Sequence, residues 1–151
     1  MAGPVRIKAS RRVAAPAPMV YEILSDYRLG HPRILPARAF DGLKVEKGGR
    51  GAGTVINFGM KSFGSVKWVR ASVDEPEPGR VLVERVLDDA DVVTTFTVDP
   101  AEDGNSMVTI ETTWTPRGPR ALVERLLGPL FLKGVYAEEL GNLEKVATGA
   151  L

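Results

Sequence analysis

Six short segments of alternating polar and apolar residues fill the middle of this chain, and one long helical run follows them directly. The segments are Arg38–Lys47, Gly53–Lys61, Gly64–Asp74, Arg80–Leu87, Asp91–Asp99 and Ser106–Thr115. Period-two alternation bounded by turn residues is the pattern of a strand with one wet face. The breaks between them are short: Gly48-Gly49-Arg50-Gly51, Ser62-Phe63-Gly64, Glu75-Pro76-Glu77-Pro78-Gly79, Asp88-Asp89-Ala90 and Pro100-Ala101-Glu102-Asp103-Gly104-Asn105. Parallel neighbours need a crossover of a dozen or more residues, so breaks this short imply antiparallel hairpins. The helical run starts at Gly118-Pro119 and ends near Ala147, before Thr148-Gly149. At 1.5 Å per residue it is roughly 43 Å long, enough to cross a small domain.

The front of the chain adds a strand and two short helices. Val5, Ile7 and Ala9 alternate with Arg6, Lys8 and Ser10, and Val13 resumes the apolar parity. Ala14-Ala15-Pro16-Ala17-Pro18 ends that strand, and proline suits the first turn of a helix, where its missing donor is not needed. Val20, Ile23, Leu24 and Tyr27 then recur at helical spacing. Arg28–Pro36 holds Gly30, Pro32 and Pro36, which predicts a broken turn and a loop made unusually apolar by Leu29, Ile34 and Leu35.

This order is α+β: a curved antiparallel sheet of six to seven strands, with a long C-terminal helix against it. A length of 151 residues fits a single domain over 1–151 with a self-sufficient core. A strongly twisted sheet of this size curls. One helix, 10–12 Å across, cannot cover its whole concave face. The inward positions are not bulky enough to fill the remainder, since Thr54, Thr94, Thr112, Ala71 and Gly59 sit among the apolar ones. An internal pocket is therefore expected.

Several features resemble one family. The Ala14-Ala15-Pro16 step after the first strand, the Gly51-Ala52-Gly53-Thr54 strand opening, the Glu77-Pro78-Gly79-Arg80 hairpin and the long helix after Pro116 are similar to the helix-grip superfamily of START-type lipid-transfer proteins and polyketide cyclases. The resemblance covers nearly the whole chain. It implies a helix-grip fold, a hydrophobic pocket between sheet and terminal helix, and small apolar or polycyclic ligands such as lipids, quinones or polyketide-like molecules. It carries over no catalytic residue, and a cyclase or dehydratase activity stands as the alternative to binding or transport.

Strand parity names the pocket wall. It puts Ile56, Phe58 and Met60 inside from one strand, Thr94, Phe96 and Val98 from another, and Val108, Ile110, Thr112 and Trp114 from the last. Arg80–Leu87 reads both ways: one parity brings Arg85 inward, the other Glu84. Tyr27 and Leu35 complete the expected ligand-binding set from the front segment, with Leu126 and Leu130 from the long helix. Leu122, Leu126 and Leu130 are read as facing the sheet, with Val123, Leu127 and Phe131 at the entrance beside Ile34 and Leu35. The same apolar half is alternatively a dimer or membrane-contact surface, so a homodimer is one expectation for partners. Gly128-Pro129 should kink or interrupt this helix, because proline removes a donor and clashes with the preceding turn.

Other chemistry is weakly signalled. There is no cysteine and a single histidine, His31, so thiolate zinc sites, thiol catalysis and histidine-rich metal centres are excluded and no cofactor or metal is expected. His31 reads either as a general base near the pocket mouth or as a loop residue making local bonds. Asp88-Asp89-Asp91 and Glu138-Glu139 read as solvated, the second pair on an exposed helix face. Gly49-Arg50-Gly51-Ala52-Gly53 opens a strand and lacks the Lys-Ser/Thr of a phosphate loop. A net charge of +1 gives no field toward nucleic acid. No apolar run approaches the roughly 20 residues of a membrane span and the N-terminus has no signal-peptide core, which makes the cytoplasm the expected location.

Overall fold

The computed structural model describes residues 3–62, 64–89 and 91–150. Phe63 and Ala90, in two of the expected turns, lie outside the described residues, as do Met1, Ala2 and Leu151. The elements follow the order read from the sequence: β1 (Val5–Val13), α1 (Ala17–Ser25), α2 (His31–Ile34), β2 (Phe40–Lys47), β3 (Val55–Ser62), β4 (Ser65–Glu77), β5 (Val81–Val86), β6 (Val93–Pro100), β7 (Ser106–Trp114) and α3 (Ala121–Ala147). The seven strands form one antiparallel sheet in the order β1-β7-β6-β5-β4-β3-β2.

β1 and β2 are the two edges of that sheet. The chain between them must travel from one edge to the other, and α1 and α2 make that crossing. The other strands follow one another as neighbours up to β7, which returns to pair with β1. β4 runs further than the sequence suggests, through Glu75-Pro76-Glu77. A register shift between Asp74 and Glu77 accommodates Pro76, which has no ladder donor to offer.

α3 is one uninterrupted helix of 27 residues, about 40 Å, with Pro129 inside it. The expected break at Gly128-Pro129 does not occur. Gly128 serves a different purpose: a Cβ there would sit 3.1 Å from Cζ2 of Trp114, so the missing side chain makes room for the indole. The second half of α3 packs on β1, α1 and α2. Val135, Leu140 and Leu143 enter the core there with Val20 and Leu24 of α1.

The first half of α3 is rotated away from its expected phase. Leu122, Leu126 and Leu130 are 69%, 63% and 73% exposed, so they face solvent and not the sheet. The reason is geometric. Leu130 precedes Leu143 by thirteen residues, and at 3.6 residues per turn that places it about 140° around the helix from the side that enters the core. Packing in the second half sets the phase, and the outward Leu126 and Leu130 follow from it; Leu122, at the same angle as buried Leu140, is not explained by phase.

Candidate functional site

Between the sheet and α3 lies a cavity of about 1050 Å³, at the upper end of the roughly 300–1,000 Å³ range of small-molecule pockets. Most of its wall is the parity set. Ile56, Phe58 and Met60 line it from β3, Thr94 and Phe96 from β6, and Thr112 and Trp114 from β7, with Leu35 after α2. On β5, Glu84 and Val86 line the cavity and Leu82 is fully buried, whereas Arg85 is exposed. The ambiguous parity thus resolves in favour of Glu84. α3 contributes Val123, Phe131, Leu132, Tyr136 and Glu139.

Six of the expected lining residues are elsewhere, among them Val98 and Val108, which are buried in the core and not on the cavity wall. Leu126 and Leu130 point outward, for the phase reason given above. Ile110 is fully buried in the core beyond the cavity wall. Tyr27 is also fully buried, and it reaches the site indirectly, through its hydroxyl: Tyr27 Oη donates to Glu84 Oε2 at 2.6 Å. Asn57, between Ile56 and Phe58 on β3, points the other way and donates to Glu46 Oε2 at 3.2 Å.

The glycine-rich loop after β2 explains why Tyr27 sits where it does. Tyr27 N donates to Gly49 O at 2.9 Å, Gly51 N donates to Ser25 O at 2.9 Å, and Arg28 Nη2 donates to Gly48 O at 2.7 Å. The loop therefore clasps the end of α1. Gly51 holds φ +59°, and a Cβ there would lie 2.2 Å from Glu75 Oε1. That carboxylate accepts from Ala52 N at 2.8 Å and, through Oε2, from Tyr21 Oη at 2.6 Å. Flexibility is thus not the reason for these glycines; close backbone approach is.

His31 is placed by the turn between α1 and α2. Its N–H donates to Asp26 O at 2.8 Å, and Nδ1 lies 2.7 Å from Leu24 O. A carbonyl can only accept, so Nδ1 carries a proton and Nε2 faces the cavity side. Nε2 is 3.6 Å from Glu84 Oε2. The imidazole stacks on Tyr27 at a centroid distance of 4.5 Å and meets Phe96 edge-on at 5.4 Å. His31 makes the expected local bonds and lines the cavity, but at 2% exposure it is buried and not at the pocket mouth.

Two further polar groups complete this end. Tyr136 Oη is 2.6 Å from Thr112 Oγ1, which is 2.8 Å from Thr94 Oγ1. Glu139 is 2% exposed, contrary to the expectation that Glu138-Glu139 forms a solvated pair. Only Glu138 does so, bonding Arg38 at 2.7 Å. One residue along a helix turns the side chain by about 100°, and that step separates solvent from cavity here. A hydrophobic pattern cannot reveal a buried carboxylate; the one available signal is that Glu139 continues the Tyr136–Leu140–Leu143 side.

Electrostatics follow from burial. Burial, reinforced by the charge of Glu84, holds the Glu139 carboxyl well above the usual carboxylate range. Burial and then Glu84 push the Tyr27 phenol up, and burial does the same to Tyr136. Two carboxyl groups thus share an apolar cavity, and burial favours the neutral form of Glu139.

The cavity opens past exposed side chains: Lys67, Trp68, Asp88, Asp89, Arg117 and Arg120. Arg117 pairs with Asp91. Among the described residues no three His, Asp or Glu side chains are grouped to hold a metal ion, and no helix is long and apolar enough to cross a membrane.

A family model described as polyketide cyclase/dehydrase and lipid transport matches residues 4–148. The KanY protein, solved in solution by NMR, is 31% identical with a TM-score of 0.83, over 97% of this chain and 99% of that one. A norcoclaurine synthase from Thalictrum flavum, bound to a transition-state analogue, is 18% identical with a TM-score of 0.74, over 99% and 98%. The ZhuI aromatase/cyclase from Streptomyces sp. R1128 is 18% identical with a TM-score of 0.71, over 95% and 96%. At that identity the last two show the shared fold. No curated relative matches the chain.

Proposed function

The chain belongs to the polyketide cyclase/dehydrase and lipid transport family, and from that premise we propose that it binds a small, predominantly hydrophobic molecule in its internal cavity, of the lipid, quinone or polyketide-like class. The observation that carries this is the cavity itself: about 1050 Å³ walled largely by Ile56, Phe58, Met60, Phe96, Trp114 and Phe131. Each 100 Å² of apolar ligand surface taken out of water contributes roughly 2.5 kcal/mol. Lost translational and side-chain freedom offsets part of it. Thr94, Thr112 and the Glu84 carboxylate supply the few polar contacts that orient such a ligand.

The test is native mass spectrometry of protein purified from cells, then solvent extraction and titration with fatty acids, quinones and aromatic polyketides. Ala71 is 1% exposed and lines the cavity, so Ala71→Phe fills the space without touching the polar end. Retention or binding of an apolar molecule by the wild type, lost in Ala71→Phe, supports the reading. An empty protein that ignores the whole panel refutes it.

A cyclase-type activity is the second reading, favoured by the Glu84 carboxylate held by Tyr27 and facing the cavity. There the cavity would bend a poly-carbonyl chain, proximity would supply most of the acceleration, and Glu84 would move a proton. Turnover unchanged in Glu84→Gln but abolished in Ala71→Phe would leave the protein a template without acid–base chemistry.

A further inference from the structure

Glu139 is 2% exposed, lines the cavity, and makes no hydrogen bond with any described residue. Glu84 differs in having a hydrogen-bond partner already, Tyr27 Oη at 2.6 Å. A carboxyl group at this depth that opens on the cavity and has no protein partner asks for an explanation. Packing alone does not provide one, since an apolar side chain at this helix position would fill the same space more favourably.

The titratable groups that act on Glu139 are Glu84 on β5, Tyr27 after α1 and Tyr136 on α3, with His31 on α2 beside Glu84. His31 is directed at Glu84. The lining cations, Lys67, Arg117 and Arg120, are all exposed at the mouth. Phe96, edge-on to His31, is the aromatic ring at this acidic end, and Phe58, Trp114 and Phe131 line the same cavity. Carboxylates together with aromatic rings are the surroundings that attract a cation.

Building on the cavity reading above, we propose that Glu139 is the recognition group for a ligand amine, and that the cavity takes an apolar, ring-bearing molecule whose ammonium donates to Glu139 between the aromatic walls. In the free protein burial and the Glu84 charge favour the protonated form of this carboxyl. An ammonium beside it favours the carboxylate, so the Glu139 O–H bond breaks and one proton leaves to solvent as the pair forms. No other bond changes. A charge-assisted contact of this kind makes roughly a ten- to hundredfold difference in affinity.

Three probes with one fluorophore test this at pH 7: dansylcadaverine, its N-acetylated neutral form, and 11-(dansylamino)undecanoic acid. The wild type should bind the amine at least about tenfold more tightly than the acetylated form. Glu139→Gln should lose that preference while binding the acetylated form as before, which shows the cavity intact. Calorimetry in phosphate and Tris should show about one proton released per amine bound by the wild type and none by the variant. Equal or tighter binding of the acetylated or fatty-acid probe by the wild type overturns the proposal. So does a preference that survives Glu139→Gln, or amine binding without proton release. If none of the three binds, the cavity reading fails and this inference falls with it. Binding of the neutral probe alone leaves the cavity reading standing and sinks only the amine.

Discussion

Glu139→Gln should remove a pH-dependent weakness from this fold. A glutamate in the unfolded chain titrates near 4.3, and burial with the Glu84 charge raises it well above that in the native state. Between those two values the native state holds one more proton than the unfolded state, so unfolding free energy falls as pH rises. The slope for one such group is about 1.4 kcal/mol per pH unit. As pH rises above the unfolded value the wild type should thus lose stability that the glutamine variant keeps. Below the unfolded value the two should match to within about 0.5 kcal/mol, because the amide has the size of the protonated acid and surface-like errors of that order are usual. Glu46 and Glu144 are shifted the other way, by Arg70 and Arg11. Their contributions are present above the unfolded pKa and are lost as pH falls, so they act at the acid side of this window and cancel in the difference. The assay is urea unfolding followed by fluorescence of Trp68 and Trp114, for both proteins, at half-unit steps of pH. A difference that stays flat from pH 5.5 to 7.5 would refute the assignment of Glu139 as the buried neutral acid.

Other perturbations probe the parts that hold the site. Gly30→Ala would put a Cβ 2.4 Å from the Ile23 carbonyl oxygen. Backbone there cannot swing aside as a side chain can, so a loss of about 1–3 kcal/mol is expected in urea unfolding, along with movement of the His31 imidazole resonances. Thr112→Val keeps the shape but strips the hydroxyl shared by Tyr136 and Thr94; thermal unfolding should show a cost of about 1–3 kcal/mol for the stranded phenol. Tyr27→Phe removes the one donor to Glu84 Oε2 from the α1 side and should cost about 1.5–3 kcal/mol, measured by the same unfolding assay. Gly128→Val should press on Trp114 Cζ2, 3.1 Å from where its Cβ would stand, shifting tryptophan emission and weakening binding of any cavity probe.

Much of the cavity wall was legible in the sequence. Ile56, Phe58 and Met60, Thr94 and Phe96, and Thr112 and Trp114 share a face because side chains alternate along a strand, and that rule needs no knowledge of neighbours. The run of neighbours from β2 to β7 was legible for a similar reason, since turns too short for crossovers leave hairpins as the only connection, whereas the pairing of β1 with β7 was not. On β5 both parities were apolar enough, and pairing with β4 and β6 settled that Glu84 and not Arg85 faces in. Helix α3 was harder still. Its leucines recur closer to every 3.5 residues than every 3.6, so no single stripe stays on one side over 27 residues. Only the packing of Val135, Leu140 and Leu143 against β1, α1 and α2 chose the rotation. That choice turned Leu126 and Leu130 to solvent and brought Glu139 inside. Periodicity within a strand is local chemistry, whereas the phase of a long helix is decided by whatever it rests on.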